Sequence, residues 1–440
     1  MTESDGRRRM SEGPAPLYET ETLPGGLRVV LETIPYVRSV SVGVWVGVGS
    51  RQEPSSLAGI SHLVEHLLFK GTERRTARRI AEEMDSIGGQ LNGYTSKEYS
   101  CYYVKVLDEH LDRAMDLLSD LALSPRFDPS DLPKEKGVVL EEIKMYEDTP
   151  DELAADFLAE AAWGDDPLGK PVLGTAETVS AVSVDTVTDY HRSGYNKGNI
   201  VVALAGNVGA TKGFSMARDF FGSAPAAGAA AIKTTPALHP GYRAKAKPIE
   251  QTHLCVGFQG VPMGDPSVFA LHLLSGILGG GTSSRLFQAI REERGLAYSI
   301  YAYSSAFSDT GMMGVYAAVS PENAREVVRL AAVEMEDLRR DGPTPEELKR
   351  AKDQVKASLL LGLENTSNRM SRLGRSLLLL DKILSPDEVA ARIDAVTVED
   401  LGELARRVLD PARAAVAAVG PDPLPSEQAL RDSLCEGGRP

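Results

Sequence analysis

Two related α+β domains are the fold this sequence predicts, and three observations carry that reading. The chain has 440 residues, too many for one ordinary hydrophobic core and enough for two to four domains. Strand-like and helix-like segments recur in the same order with a period a little over 200 residues, which indicates duplicated domains and not a solenoid of short repeats. Between the copies lies 223–236 (SAPAAGAAAIKTTP), small-residue and proline-punctuated, the best linker in the chain. The boundaries follow: a disordered leader at 1–17, a first domain at 18–222, the linker, a second domain at 237–425, and a tail at 426–440 with little core-forming character.

The elements are justified in order. Residues 27–48 alternate and are rich in valine, with Pro24, Gly25, Gly26 and Pro35 as punctuation, and read as a strand pair. Residues 57–70 carry apolar side chains at three- and four-residue spacing, a helix. A second helix covers 77–87 and stops at Gly88 and Gly89. A strand follows at 99–107 and a helix at 111–123. Residues 131–148 form a further helix, with Pro133 tolerated in the first turn and Gly137 costing about 1 kcal/mol relative to alanine. The second copy repeats the scheme: a strand from Thr252, a helix, a strand at 311–320, a helix at 322–338 and another introduced at 343–354.

Composition narrows the function. Hydrophobic residues at 42% and charged residues at 25% exclude wholesale disorder. A net charge of −14 argues against a nucleic-acid binder and points to basic or extended peptide partners. Cys101, Cys255 and Cys435 are odd in number and far apart, neither a disulfide framework nor a thiolate metal site, so a reducing, cytoplasmic setting is expected. Three arginines near the start lack the apolar stretch that export needs, and Glu3, Asp5 and Glu12 are foreign to a mitochondrial transit peptide. The longest apolar run, from Val40, falls far short of the ~20 residues that span a bilayer, so no membrane segment is expected.

The chemistry concentrates at His62-Leu63-Val64-Glu65-His66. Residues four apart on a helix share a face, so His62 and His66 can offer two imidazoles to one metal ion, with Glu65 leaning over the same place. This is the inverted H-x-x-E-H order of metallopeptidases. Zinc acidifies a bound water, and Glu65 would take its proton as general base. A third ligand is needed. Glu135 and Glu142, seven residues apart, share one face of the 131–148 helix beside Val139, Leu140 and Ile143, while Glu141 is a rival by position and a solvated charged surface is the plainer alternative. The other histidines, at 110, 191, 239, 253 and 272, are single and read as structural.

HLVEHLLFKGT (62–72), LNGYTSKEYSCYYVKV (91–106) and KGVVLEEI (136–143) together resemble the insulinase/pitrilysin metallopeptidases, in their short bacterial branch similar to the mitochondrial processing peptidases. The resemblance runs from about Tyr18 to the low 420s. It implies a third zinc ligand about 76 residues after the second histidine, which selects Glu142 over Glu141, and a supporting glutamate at Glu135. It also implies two α/β-roll domains, each a mostly antiparallel sheet packed with helices, closing as a clam shell. In 279–305, Arg291 and Tyr298 match an arginine and tyrosine that reach across from the second domain to hold substrate and steady the oxyanion. Asn92, Gly93 and Tyr94 match the sheet edge that takes the peptide as an added strand, although many members have alanine where Gly93 stands. Phe69 matches an apolar wall beside the scissile bond.

The second copy has no H-x-x-E-H, its corresponding stretch reading FALHLLSGILGG, so one Zn2+ per chain is expected. The glycines at 279–281 lack the lysine of a phosphate-binding loop. The resulting expectation is a zinc endopeptidase acting on peptides or unfolded, presequence-like segments, working as a homodimer. The alternative is a catalytically idle scaffold or assembly subunit of a processing-peptidase or core-protein-like complex.

Overall fold

A computed structural model describes residues 17–226 and 235–437. The predicted leader up to residue 16, the middle of the linker and the last three residues of the tail lie outside the described residues.

The first half contains β1 (Glu19–Thr22), β2 (Arg28–Thr33), β3 (Ser39–Val46), α1 (Ile60–Leu68), α2 (Ala77–Ser86), β4 (Gln90–Thr95), β5 (Ser100–Leu107), α3 (Leu111–Leu123), α4 (Leu132–Glu147), α5 (Pro150–Trp163), α6 (Ala176–Ala181), α7 (Val184–Gly194), β6 (Ile200–Gly206) and α8 (Ala210–Phe221). The second contains β7 (Tyr242–Ala246), β8 (Thr252–Gln259), α9 (Val268–Gly279), a π-helical turn (Phe287–Glu292), β9 (Ala297–Ala306), β10 (Gly311–Val319), α10 (Ala324–Asp341), α11 (Pro345–Gly362), α12 (Thr366–Leu380), α13 (Pro386–Ala395), α14 (Val398–Val408), β11 (Ala415–Gly420) and α15 (Glu427–Glu436).

The two sheets run β1-β2-β6-β3-β5-β4 and β7-β11-β8-β10-β9. Apart from the extra edge strand β1, the orders are the same. In each, the first strand pairs in parallel with the last, and the remaining pairs are antiparallel. The duplication read from the sequence is therefore a duplication of topology. Both faces of each sheet are covered, which explains why β3 is buried along almost its whole length although its residues alternate. Val40, Val42, Val44 and Val46 enter the core under α1 and α3, while Trp45 points to the opposite face.

What covers those opposite faces was not legible in the sequence. Helix α5 leaves the first half and packs Leu153, Ala154 and Leu158 against Cys255, Tyr316 and Ala417 of the second sheet. Helix α12 returns the arrangement, packing Met370, Leu373 and Leu377 on Val30, Trp45 and Val201 of the first. Ser41 of β3 also hydrogen-bonds Thr366 at 2.9 Å. By order along the chain α5 and α12 are equivalent elements, so the halves are joined by a reciprocal exchange.

The tail corrects its sequence reading. Residues 427–436 form α15, with Leu430 and Leu434 fully buried in the second core. Its counterpart in the first half is α8, and two apolar side chains one turn apart were too faint a pattern to identify it. Among the described residues no helix is long and apolar enough to cross a membrane.

Candidate metal centre and active site

Helix α1 is held rigidly before any metal is considered. Its first turn begins at Gly59, whose φ of 92° and close approach to Leu173 O (a Cβ would sit 2.5 Å away) leave room only for glycine. The buried Glu53 carboxylate accepts hydrogen bonds from the Gly59 and Ser61 N–H groups, both at 2.7 Å, satisfying two donors at the helix N-terminus. Leu63, Val64 and Leu67 face the core, which turns His62, Glu65 and His66 toward α4 and β4.

Glu142 on α4 meets both imidazoles. Its Oε2 lies 3.6 Å from His62 Nε2 and 3.4 Å from His66 Nε2, and one donor atom from each of the three residues falls within 4.8 Å of the others. That oxygen is buried and accepts no hydrogen bond. An orphaned carboxylate oxygen facing two imidazole nitrogens would be costly with nothing between them. Ligands about 2.0–2.1 Å from a tetrahedral zinc are themselves about 3.3 Å apart, so the donor set fits that ion. Burial, aided by His66, pushes the His62 imidazolium down to about 4, leaving the neutral ring a ligand requires. His62 Nδ1 is buried and has no partner.

Glu135 sits two turns back along α4. Its Oε2 is 3.4 Å from His66 Nδ1, on the side of the ring away from Glu142, and its Oε1 is 2.8 Å from Lys70 Nζ. Glu141, the positional rival, points outward to Lys144. Glu65 accepts a 2.6 Å hydrogen bond from Thr95 Oγ1, and burial raises its pKa above the ordinary carboxylate range despite that bond. Sequence reasoning missed Thr95 and Lys70. Both had a signal: Lys70 lies four residues after His66, at the end of the helix expected over 57–70 and just past the end of α1, and Thr95 lies two residues after Gly93 on one strand face.

The edge strand divides its candidates. Leu91, Gly93 and Thr95 share the face toward α1, and a Cβ on Gly93 would stand 3.0 Å from Tyr102 and 3.3 Å from Phe69. Phe69 caps α1 and supports β4 from the core side. The Tyr94 ring points the other way, packing on Trp45, Tyr99 and Tyr103 at 6.0–6.4 Å, so only its main chain belongs to the Glu65 side. Asn92 is exposed and accepts from the Gly93 N–H at 2.8 Å. β4 ends the sheet, with one edge unpaired among the described residues.

Its turn to β5 is anchored to the second half. Glu98 takes Arg51 at 2.8 Å and the Ser308 N–H at 2.9 Å, and Arg51 also reaches Asp309 at 2.7 Å. Arg291 and Tyr298 are brought together, the guanidinium 5.7 Å from the Tyr298 ring and 4.8 Å from Phe287. Both are exposed, Tyr298 on β9, the second sheet's counterpart of β4, and among the described residues neither forms a hydrogen bond or ion pair with His62, His66 or Glu142.

Residues 28–176 match the insulinase family (peptidase family M16), and residues 181–355 match the peptidase M16 inactive domain. The chain belongs to peptidase family M16. Its relatives include the Uncharacterized zinc protease YmxG of Bacillus subtilis, 44% identical over 387 residues, covering 88% of this chain and 94% of that one. The Uncharacterized zinc protease Rv2782c of Mycobacterium tuberculosis is also 44% identical, over 409 residues, covering 91% of this chain and 92% of its own. The fold is shared with a peptidase M16 inactive domain from Pseudomonas fluorescens (TM-score 0.87, 21% identity, 92% and 99% of the two chains). A protease from Helicobacter pylori matches similarly (TM-score 0.86, 23% identity, 92% and 100%). In this M16 chain His62, Glu65 and His66 fall in the first matched segment, and α9, the second half's counterpart of α1, carries the single His272, hydrogen-bonded to Ser304 at 2.7 Å.

Proposed function

We propose that this M16 chain is a zinc-dependent endopeptidase that hydrolyses peptides or unfolded segments, with Glu65 as general base. The observation that carries the reading is the orphaned Glu142 Oε2 facing His62 Nε2 and His66 Nε2, with Glu65 alongside. His62, His66 and Glu142 would hold one zinc, which acidifies water and polarises a peptide carbonyl when bound.

The chain's own groups do the rest. Glu65, held on one oxygen by Thr95, keeps its other oxygen free to take a proton from the attacking water and pass it to the leaving amine. Its raised pKa brings proton affinity nearer neutrality, as that double role requires. The open edge of β4 would pair with an extended peptide through main-chain hydrogen bonds, giving affinity with little sequence preference. Arg291 and Tyr298 are donors suited to hold substrate and the developing oxyanion.

The test compares wild type with Glu65→Gln on a quenched fluorescent peptide library, with zinc content measured on the same samples. The expected result is turnover by wild type and a loss of about a hundred- to ten-thousand-fold in the variant with zinc retained. A wild type that holds zinc and cuts nothing would move the idle-scaffold reading to the front.

A further inference from the structure

A cavity of about 920 Å³ lies between the two halves, separate from the His62–His66–Glu142 cluster. Tyr94 and Ser96–Tyr99, at the end of β4, form one wall; 304–307 at the end of β9, the start of α9 and the face of α12 form the others. Arg372, Arg375, Lys382 and Arg392 all line it. No ion pair joins any of the four to a carboxylate among the described residues, although the chain carries 62 acidic residues against 48 basic ones. Arg372 donates to Leu384 O, yet its Nε is buried without a partner. The carboxylates in the lining are engaged elsewhere, Glu98 by Arg51 and Ser308 and Asp265 by the Ser267 N–H.

We propose that this cavity binds the acidic part of a peptide substrate. The inference rests on the peptidase reading and deepens it. Glu32 lies near Arg372, and Glu388 near Lys382 and Arg392, without ion-pair contact; guanidinium groups around a concave site that no carboxylate contacts directly recognise one through charge-assisted, often bidentate hydrogen bonds. The volume far exceeds a small ion, and Tyr94, Tyr99, Phe269 and Phe307 add apolar surface of the kind a peptide buries. The cavity also begins where β4 ends, so a peptide paired along that edge and continuing past Thr95 runs into it. Net charge alone points to basic peptides, but the field a substrate meets is set by the side chains around it.

The test uses the full chain as zinc-loaded Glu65→Gln, so that binding is read without turnover. Fluorescein-labelled peptides of one sequence carry Glu, Gln or Lys at four positions on one side of a central apolar core, and a second set carries them on the other side. Anisotropy at low salt is expected to show one Glu peptide binding at least about tenfold tighter than its Lys twin, with the ratio shrinking as salt screens the charges. The further change Arg375→Glu/Lys382→Glu/Arg392→Glu, at three exposed positions, should reverse the preference. Arg375→Gln should weaken it if the triple change does not fold.

Equal binding of Glu and Lys peptides, a Lys preference, or a Glu preference that survives charge reversal overturns the proposal. Displacement of the Glu peptide by millimolar succinate, as effective as displacement by unlabelled peptide, also overturns it in favour of a small-anion site. Wild type run on the same peptides separates the two readings. A Glu preference in binding with no cleavage leaves the cavity assignment standing and removes the peptidase reading.

Discussion

Replacing Glu135 with glutamine tests whether this carboxylate serves the metal or the fold. The change keeps the shape of a side chain that is 4% exposed but removes its charge. Two contacts are affected: Oε2 with His66 Nδ1 at 3.4 Å and Oε1 with Lys70 Nζ at 2.8 Å. The Lys70 side chain is 37% exposed, so its ammonium recovers water and the lost ion pair costs about 1 kcal/mol or less. The imidazole has no such substitute, and loss of a group that orients a ligand histidine weakens metal affinity about ten- to a hundredfold, or about 1.4 to 2.8 kcal/mol. The prediction is therefore a split. Zinc affinity of Glu135→Gln, measured by chelator competition, should fall by that factor, while urea unfolding of the metal-free protein moves little. Unchanged zinc affinity, or a metal-free destabilisation as large as the affinity loss, would refute the argument that Glu135 acts through His66.

Other perturbations probe the scaffold. Arg51→Met leaves Glu98 buried without its cation, and an uncompensated charge of that kind costs about 3–5 kcal/mol, to be read as a lower urea midpoint that Arg51→Met/Glu98→Gln partly restores. Gly374→Ala places a methyl within 3.0 Å of the fully buried Trp45 ring, so about 1–3 kcal/mol should be lost; an unchanged thermal midpoint would mean α12 does not seat on the first sheet as described. Burial pushes Glu53 up to about 7 from an unfolded value near 4.5, so between those pH values the folded chain keeps a proton that the unfolded chain has released. Its contribution, about 3 kcal/mol, is fully present below pH 4.5 and lost as pH rises through 7, and Glu53→Gln should flatten that part of the stability profile.

The local pieces of the site were legible, and their assembly was less so. His62, Glu65 and His66 follow from helical spacing, and α4 from its periodicity, because each pattern is complete within a few residues. The choice of Glu142 over Glu141 needed the family spacing, since sequence position alone does not say which carboxylate faces another helix. β6 (IVVALAG) and β11 (AVAAVG) are short, continuous apolar runs that periodicity does not separate from helix. The partners of α5 and α12 were hidden for a different reason. An apolar stripe says that a face is buried but not against which sheet. The Tyr94 ring shows the same limit, since the side of the sheet it occupies depends on register, and register is set by pairing with Cys101.

The exchange of α5 for α12 bears on how such a chain could arise and be divided. Severed at the linker, each half would present a bare sheet face where its partner's helix belongs, and neither piece would stay soluble alone. For a single-copy ancestor of this repeat, two identical copies lending each other the same helix would have covered the same bare faces. Gene duplication and fusion would then have made that borrowing intramolecular. Within that shared frame the copies differ: α1 carries His62 and His66, while its counterpart α9 carries His272 alone.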